Sequence, residues 1–295
     1  TDGGRKIRKV APTGIIETFA GNWSGSFSGD GGPAIAAGIQ VRAITADTAG
    51  NILLAGGQRI RKVDASGNIS TIAGTGVLGF SGDGGPATNA QFGYINQMFV
   101  DKDNNIYFCD EYNHRIRRID ANGIITTIAG AGYGTYGGDG VAATSTKIRG
   151  PEGVYMDSCG NLYFSEAEGS AIRIVNRAGF IYTLGGTGEY GFAGDGGPAH
   201  TAVLNFPQDL FISANHDLYF SDYMNCRVRK IALPRCDSLV FPAAVGKVAT
   251  NEPGLTVWPN PATNELQLQL NTTGATAHVA IVTLTGRTVQ ELLLP

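Results

Sequence analysis

Four aspartates recur along this chain at a nearly constant interval. Asp30, Asp83, Asp139 and Asp195 stand at steps of 53, 56 and 56 residues, within the strings FSGDGGPA, FSGDGGPA, YGGDGVAA and FAGDGGPA. A glycine-rich acidic loop is the kind of backbone that wraps calcium. That ion takes about six to eight oxygen ligands, whereas each loop offers one carboxylate. The Pro-Ala that follows points elsewhere: proline suits the first position of a helical turn, and the aspartate a nearby cap. On this reading Asp83→Ala costs about 0.5–2 kcal/mol, the size of a lost cap, and leaves metal content unchanged.

Arginines keep the same interval. Arg8, Arg61, Arg117, Arg173 and Arg229 occupy one position of KIRKV, RIRKV, RIRRI, AIRIV and RVRKI. A residue present once per repeat serves the repeat, because a ligand site needs asymmetry. Asp110, Glu166 and Asp222 recur likewise and are predicted to accept hydrogen bonds from turn amides or neighbouring arginines. The pairs Tyr107-Phe108, Tyr163-Phe164 and Tyr219-Phe220 are predicted core. His114, His200, His216 and His278 fall at unrelated positions without metal-ligand spacing. Cys109, Cys159, Cys226 and Cys236 show no CxxC pair and leave disulfides open. There is no GxSxG elbow. No catalytic residue, metal ligand or cofactor site emerges.

The elements that must carry these residues are short runs of Ile, Val, Tyr, Phe and Thr, broken by Gly, Asn or Asp. In one unit strands are predicted near 97–101, 105–109, 115–120 and 124–129. No segment sustains helical spacing, so helices are limited to single turns. Four antiparallel strands repeated radially make a β-propeller blade. The fold class is therefore all-β: a propeller over 1–231, a linker rich in Ala, Pro and Val over 232–254, and a small, partial, sandwich-like β domain over 255–295. The first unit opens in a third strand and the last lacks a fourth, so the ring is expected to be incomplete and the chain a fragment.

Positions that differ between blades are more informative for binding. Arg42, Asn96, Glu152 and Gln208 align where the first strand of each blade begins, all polar yet all different. They are expected at a channel mouth, together with the GDGG loops and the turns bearing Tyr112, His114 and Tyr223. Such mouths favour ligands, although solvated loop residues would look the same. The net charge of −3 supplies no basic surface for nucleic acid. No apolar run approaches the ~20 residues of a membrane span, and the first ten residues lack the apolar stretch of a signal peptide.

NIYFCDEYNHRIRRIDANGIITTIAG at 105–130, with its Asn-His-Arg-Ile core at 113–116, resembles the NHL repeat. Its inserted GFSGDGGPA loop is similar to one common in secreted bacterial NHL proteins. After Pro259-Asn260-Pro261, Leu266, Leu268 and Leu270 alternate with glutamines, and LTGRTV follows with Gly286-Arg287 as its turn. This tail resembles the type A C-terminal sorting domain of the Bacteroidota type IX secretion system. The resemblance implies passage through the periplasm to the cell surface or medium, with the secretion machinery as partner. Three functions stay open. The leading one is a non-enzymatic module binding an unidentified protein or glycan; the others are a channel-mouth enzyme of the lyase or lactonase kind and a purely structural module.

Overall fold

The computed structural model describes residues 3–235 and, beyond them, the strand segments 256–258, 267–269, 277–282 and 288–294. The chain divides into two compact units, Thr1–Leu239 and Val240–Pro295.

The first unit is built of antiparallel sheets in chain order. The first sheet pairs β1 (Ile7–Val10) with β2 (Ile16–Ala20). The second is the meander β3 (Ala43–Ala46), β4 (Ile52–Gly56), β5 (Arg59–Val63) and β6 (Ile69–Ala73). The third repeats it with β7 (Met98–Val100), β8 (Ile106–Asp110), β9 (Arg115–Ile119) and β10 (Ile125–Ala129). In the fourth, β11 (Val141–Ala142) flanks β12 (Pro151–Met156), β13 (Leu162–Glu166), β14 (Ala171–Val175) and β15 (Phe180–Gly185). The fifth holds β16 (Pro207–Ile212), β17 (Asp217–Asp222) and β18 (Arg227–Ala232). Apart from β11, these are the strands that the repeat predicts.

Turn chemistry sets the hairpins. Asp47, Asp101 and Asp157 each accept the amides two and four residues on, which closes the turn between first and second strands. Asp64, Asp120 and Asn176 do the same between third and fourth strands. Alternation then sends one face of each strand into the space between sheets. Phe92, Phe108, Ile60 and Ile125 fill it between the second and third sheets, and Ile116, Ile148, Phe164 and Ile181 between the third and fourth. Each such side chain contributes roughly 1.5–3 kcal/mol on burial. Phe108, Phe164 and Phe220 are buried, as are Tyr107 and Tyr163, whereas Tyr219 of the fifth sheet is exposed.

The GDGG aspartates do not cap helices. The turns after them are single 3-10 turns, Ala34–Ala36, Ala87–Asn89 and Ala199–Thr201, each preceded by proline with no side-chain cap. The carboxylates instead reach the next sheet. Asp30 meets Arg61 at 2.6 Å, Asp83 meets Arg117 at 2.9 Å and Asp195 meets Arg229 at 2.7 Å. Asp139 accepts the Thr183 amide at 2.7 Å. A buried guanidinium needs a counter-charge more than a 3-10 turn needs a cap. The loops accordingly lie against the outermost strand of the next sheet, as the bridges Pro33–Asn68 and Pro86–Ile124 and the β11–β15 pairing show. Phe27, Phe80 and Phe192 cover those arginines at 4.7, 4.8 and 5.1 Å from the ring centres, and Tyr136 covers Arg173 at 3.7 Å.

Asp110, Glu166 and Asp222 behave as expected. Each accepts a backbone amide, from Gly93, Arg149 and Asn205, and each pairs with the arginine of its own third strand. Cys159 is disulfide-bonded; Cys109 is free and buried, and Cys226 free and exposed.

In the second unit β19 (Thr256–Trp258) pairs with β20 (Gln267–Gln269), and β21 (Ala277–Val282) with β22 (Thr288–Leu294). Gly286 and Arg287 fall between the last two strands. The alternation also leads one to expect Leu266, Leu268 and Leu270 to pack against Ile281 and Leu284, which lies outside the described side chains. No helix among the described residues is long and apolar enough to cross a membrane.

Candidate functional site

The first strands of successive sheets approach one another closely. Gly153 allows it on β12: a Cβ there would sit 2.5 Å from the Gln208 carbonyl oxygen of β16. Its amide donates to Ser165 Oγ, and that hydroxyl donates on to the Gln208 carbonyl at 2.7 Å. Gln97 ties three sheets together, its Nε2 donating to the Leu210 carbonyl at 3.2 Å and its Oε1 accepting the Val154 amide at 2.5 Å. Polar backbone that the sheet ladders leave unpaired is thus satisfied by side chains.

These strands line an open concavity of about 700 Å³. Its wall carries Phe99, Tyr155 and Phe211, with ring centres 4.8 and 5.7 Å apart in series. Arg42, Asn96 and Asp209 are among its polar groups, with Thr45, Gln97 and Ser221. An apolar concavity with few convergent polar groups is the usual form of a ligand site.

Arg42, Asn96 and Glu152 come together here. Arg42 Nη1 donates to Asn96 Oδ1 at 3.0 Å, and Asn96 Nδ2 to Glu111 Oε2 at 2.9 Å. Arg42 also lies 3.9 Å from Glu111 and stacks 4.6 Å from the centre of the Tyr94 ring. Glu152 adjoins Asn96. Burial pushes its carboxyl up to about 7, repulsion from Glu111 and Asp209 adds to this, and the Asn96 hydrogen bond and Arg42 oppose it. Asp209 is pushed up in the same direction by desolvation.

The remaining candidates are placed differently. Gln208 contributes its backbone carbonyl to packing, and its neighbour Asp209 lines the cavity. His114 takes a left-handed conformation at φ 52°. Its Nδ1 accepts the Gly150 amide at 3.0 Å and its ring lies 4.9 Å from that of Tyr133, so it joins the third sheet to the fourth. Burial pushes its imidazole pKa down. Tyr112 and Tyr223 are exposed on their turns. Sequence reasoning missed Glu111, Tyr94 and Asp209, each adjacent in sequence or nearly so to a residue it named. Alignment by strand cannot tell which of two neighbours faces inward when a bulge shifts the register, as happens between Pro151 and Val154 and between Pro207 and Leu210. Among the described residues no group of three or more His, Cys, Asp or Glu is placed to hold a metal.

Comparison with known proteins adds the following. The chain is 29% identical over 235 residues to Teneurin-1 of Homo sapiens, a match covering 70% of this chain and 8% of that protein. It is 30% identical over 232 residues to Teneurin-3 of Danio rerio, covering 69% and 8%. The chain therefore spans less than a tenth of these curated relatives. Among solved structures it is similar to a structural genomics protein of unknown function from Bacteroides thetaiotaomicron VPI-5482. That match has a TM-score of 0.60 at 16% identity and covers 78% of this chain and 54% of the other. An auxiliary nutrient binding protein from the same organism matches with TM-score 0.54 at 13% identity, over 78% and 54%. At such identities the likeness is one of fold, an all-β, propeller-like arrangement of antiparallel sheets. Residues 256–294 match the secretion system C-terminal sorting domain. The chain thus carries a type IX sorting domain, and the protein is delivered to the cell surface or the medium.

Proposed function

We propose that this is an exported NHL-type propeller module that captures a protein segment or glycan at the mouth of its axial cavity. The module spans 1–231, a linker follows over 232–254, and the sorting domain occupies 255–295 and engages the secretion machinery. The observation that carries the reading is a cavity of about 700 Å³ with a run of aromatic faces, beside a polar network that differs from blade to blade. Aromatic rings offer area at low entropic cost, and the Arg42–Asn96–Glu111 chain offers directional donors and acceptors. One protein that shares the fold is described as auxiliary nutrient binding, which agrees with capture. The test is to screen the full chain against glycan and peptide arrays and compare Arg42→Ala, whose side chain is 53% exposed, with Lys102→Ala at 85%. Binding that falls at least tenfold in the first variant and holds in the second supports the reading. No binder, or a binder indifferent to Arg42, overturns it.

One observation favours a second reading, a channel-mouth enzyme. A carboxyl titrating near 7 suits a general acid or base. Turnover of a captured ligand, abolished by Glu152→Gln with binding kept, would establish it.

A further inference from the structure

The second sheet breaks the repeat at one point. Its second strand ends in Gly56, which pairs with Arg59 as Asp110 pairs with Arg115, Glu166 with Ala171 and Asp222 with Arg227. The turn that follows is two residues shorter than its counterparts and carries no acid. Gln58 occupies the left-handed position, φ 54°, that His114, Ser170 and Cys226 hold in the other sheets.

The consequence falls on Arg61. In the third and fifth sheets the same arginine spends Nη1 twice, on a backbone carbonyl and on the strand-end acid. Arg117 Nη1 meets the Gln91 carbonyl at 3.5 Å and Asp110 at 3.4 Å. Arg229 Nη1 meets the Val203 carbonyl at 2.9 Å and Asp222 at 3.2 Å. Arg61 keeps every other contact of the pattern: Asp30 through Nε and Nη2, the Ser28 carbonyl through Nη2, and the Gly38 carbonyl through Nη1 at 2.9 Å. Its second Nη1 hydrogen has no acceptor among the described residues. The side chain is only 5% exposed.

Space and charge agree with the missing group. A cavity of about 190 Å³ lies beside Arg61, bounded by Gln40, Gly56, Gly57, Gln58 and Arg59. That is well above the roughly 10–15 Å³ needed for one water. In the third sheet Arg115 and Arg117 face Asp83 and Asp110, and in the fifth Arg227 and Arg229 face Asp195 and Asp222. In the second, Arg59 and Arg61 face Asp30 alone. One negative charge is absent, at a position where the sibling sheets each place a carboxylate. The Gln40 amide aligns with those of Gly93, Arg149 and Asn205, which donate to that carboxylate elsewhere.

We propose that this cavity is a binding site for a small carboxylate, held by the unused Nη1 hydrogen of Arg61 and the Gln40 amide, with Arg59 balancing the charge. A planar guanidinium fork matches a carboxylate in geometry as well as charge. The proposal is independent of the axial cavity and survives if no ligand is found there.

The test is equilibrium dialysis of the full-length protein against radiolabelled acetate and succinate at fixed ionic strength in chloride. Saturable binding of one equivalent is expected. Gln58→Glu places a competing charge at the rim without touching the core and should weaken binding at least tenfold, whereas Gln58→Ala should hold it within about twofold. Arg61→Lys should abolish it; should that variant not fold, the Gln58 pair still decides. No saturable binding, or equal affinity in Gln58→Glu, overturns the site. Inorganic phosphate or sulfate competing as well as acetate overturns the carboxylate assignment.

Discussion

Removing Asp83 measures what the GDGG loops do. Its Oδ1 accepts Arg117 Nη2 at 2.9 Å and its Oδ2 accepts Thr127 Oγ1 at 2.6 Å. Arg117 has a side chain 0% exposed, and Asp83 one 38% exposed. Breaking a buried ion pair costs about 3–5 kcal/mol because one charge is stranded. Two features reduce this. Asp83 is partly solvated, which screens its half of the pair, and Arg117 keeps Asp110 at 3.4 Å and the Ser81 carbonyl at 3.1 Å. Asp83→Ala should therefore cost about 2–3 kcal/mol, above the centre of the range for a lost cap. At about 2–4 °C per kcal/mol for a domain of this size, calorimetry should show a fall of roughly 4–12 °C. Asp195 makes the same pair with Arg229 but is 64% exposed, so Asp195→Ala should cost about half as much. Asp83→Asn, which keeps an acceptor without the charge, should fall between wild type and alanine. A loss below about 1 kcal/mol for Asp83→Ala, or equal losses at both sites, would refute the counter-charge role.

Two further outcomes are expected. Glu152 titrates in the folded protein at about 7 against an ordinary 4.5, so the folded state binds the proton more tightly than the unfolded one. The stability from that proton is complete below about 4.5 and is lost as pH rises to about 7. Glu152→Gln should then be neutral at pH 4 and stabilising by about 1–2 kcal/mol at pH 8, after discounting for its partial exposure. Denaturant titrations at both pH values that show the same difference would contradict it. Deleting everything after Gly254 should leave the first unit folded but stranded in the periplasm; surface display that survives the deletion would count against the sorting role.

The sequence by itself determined the strands and their order. Each depends on residues within about ten positions: alternating Ile, Val, Tyr and Phe, and an aspartate or asparagine that closes its own turn, as at Asp101 and Asp120. Recurrence at 53–56 residues then made the sheets copies of one another, so Phe108 and Phe164 could be assigned to the core together. The sorting tail was legible for the same reason, its pattern being local.

What tertiary structure decided was every contact that crosses from one sheet to the next. Asp83 was legible as structural, but its partner Arg117 lies 34 residues away and no spacing rule reaches that far. Glu152 was one polar residue among several until burial, with Glu111 and Asp209 nearby, raised its carboxyl. The shortened turn at Gly56 was written in the sequence, yet its meaning was not. A missing acid becomes a chemical fact only when the fold buries the arginine that it would have satisfied. Strand formation is governed by local sterics and solvation, which sequence order carries directly. Charge pairing and desolvation depend on distance through space, which only the packed sheets set.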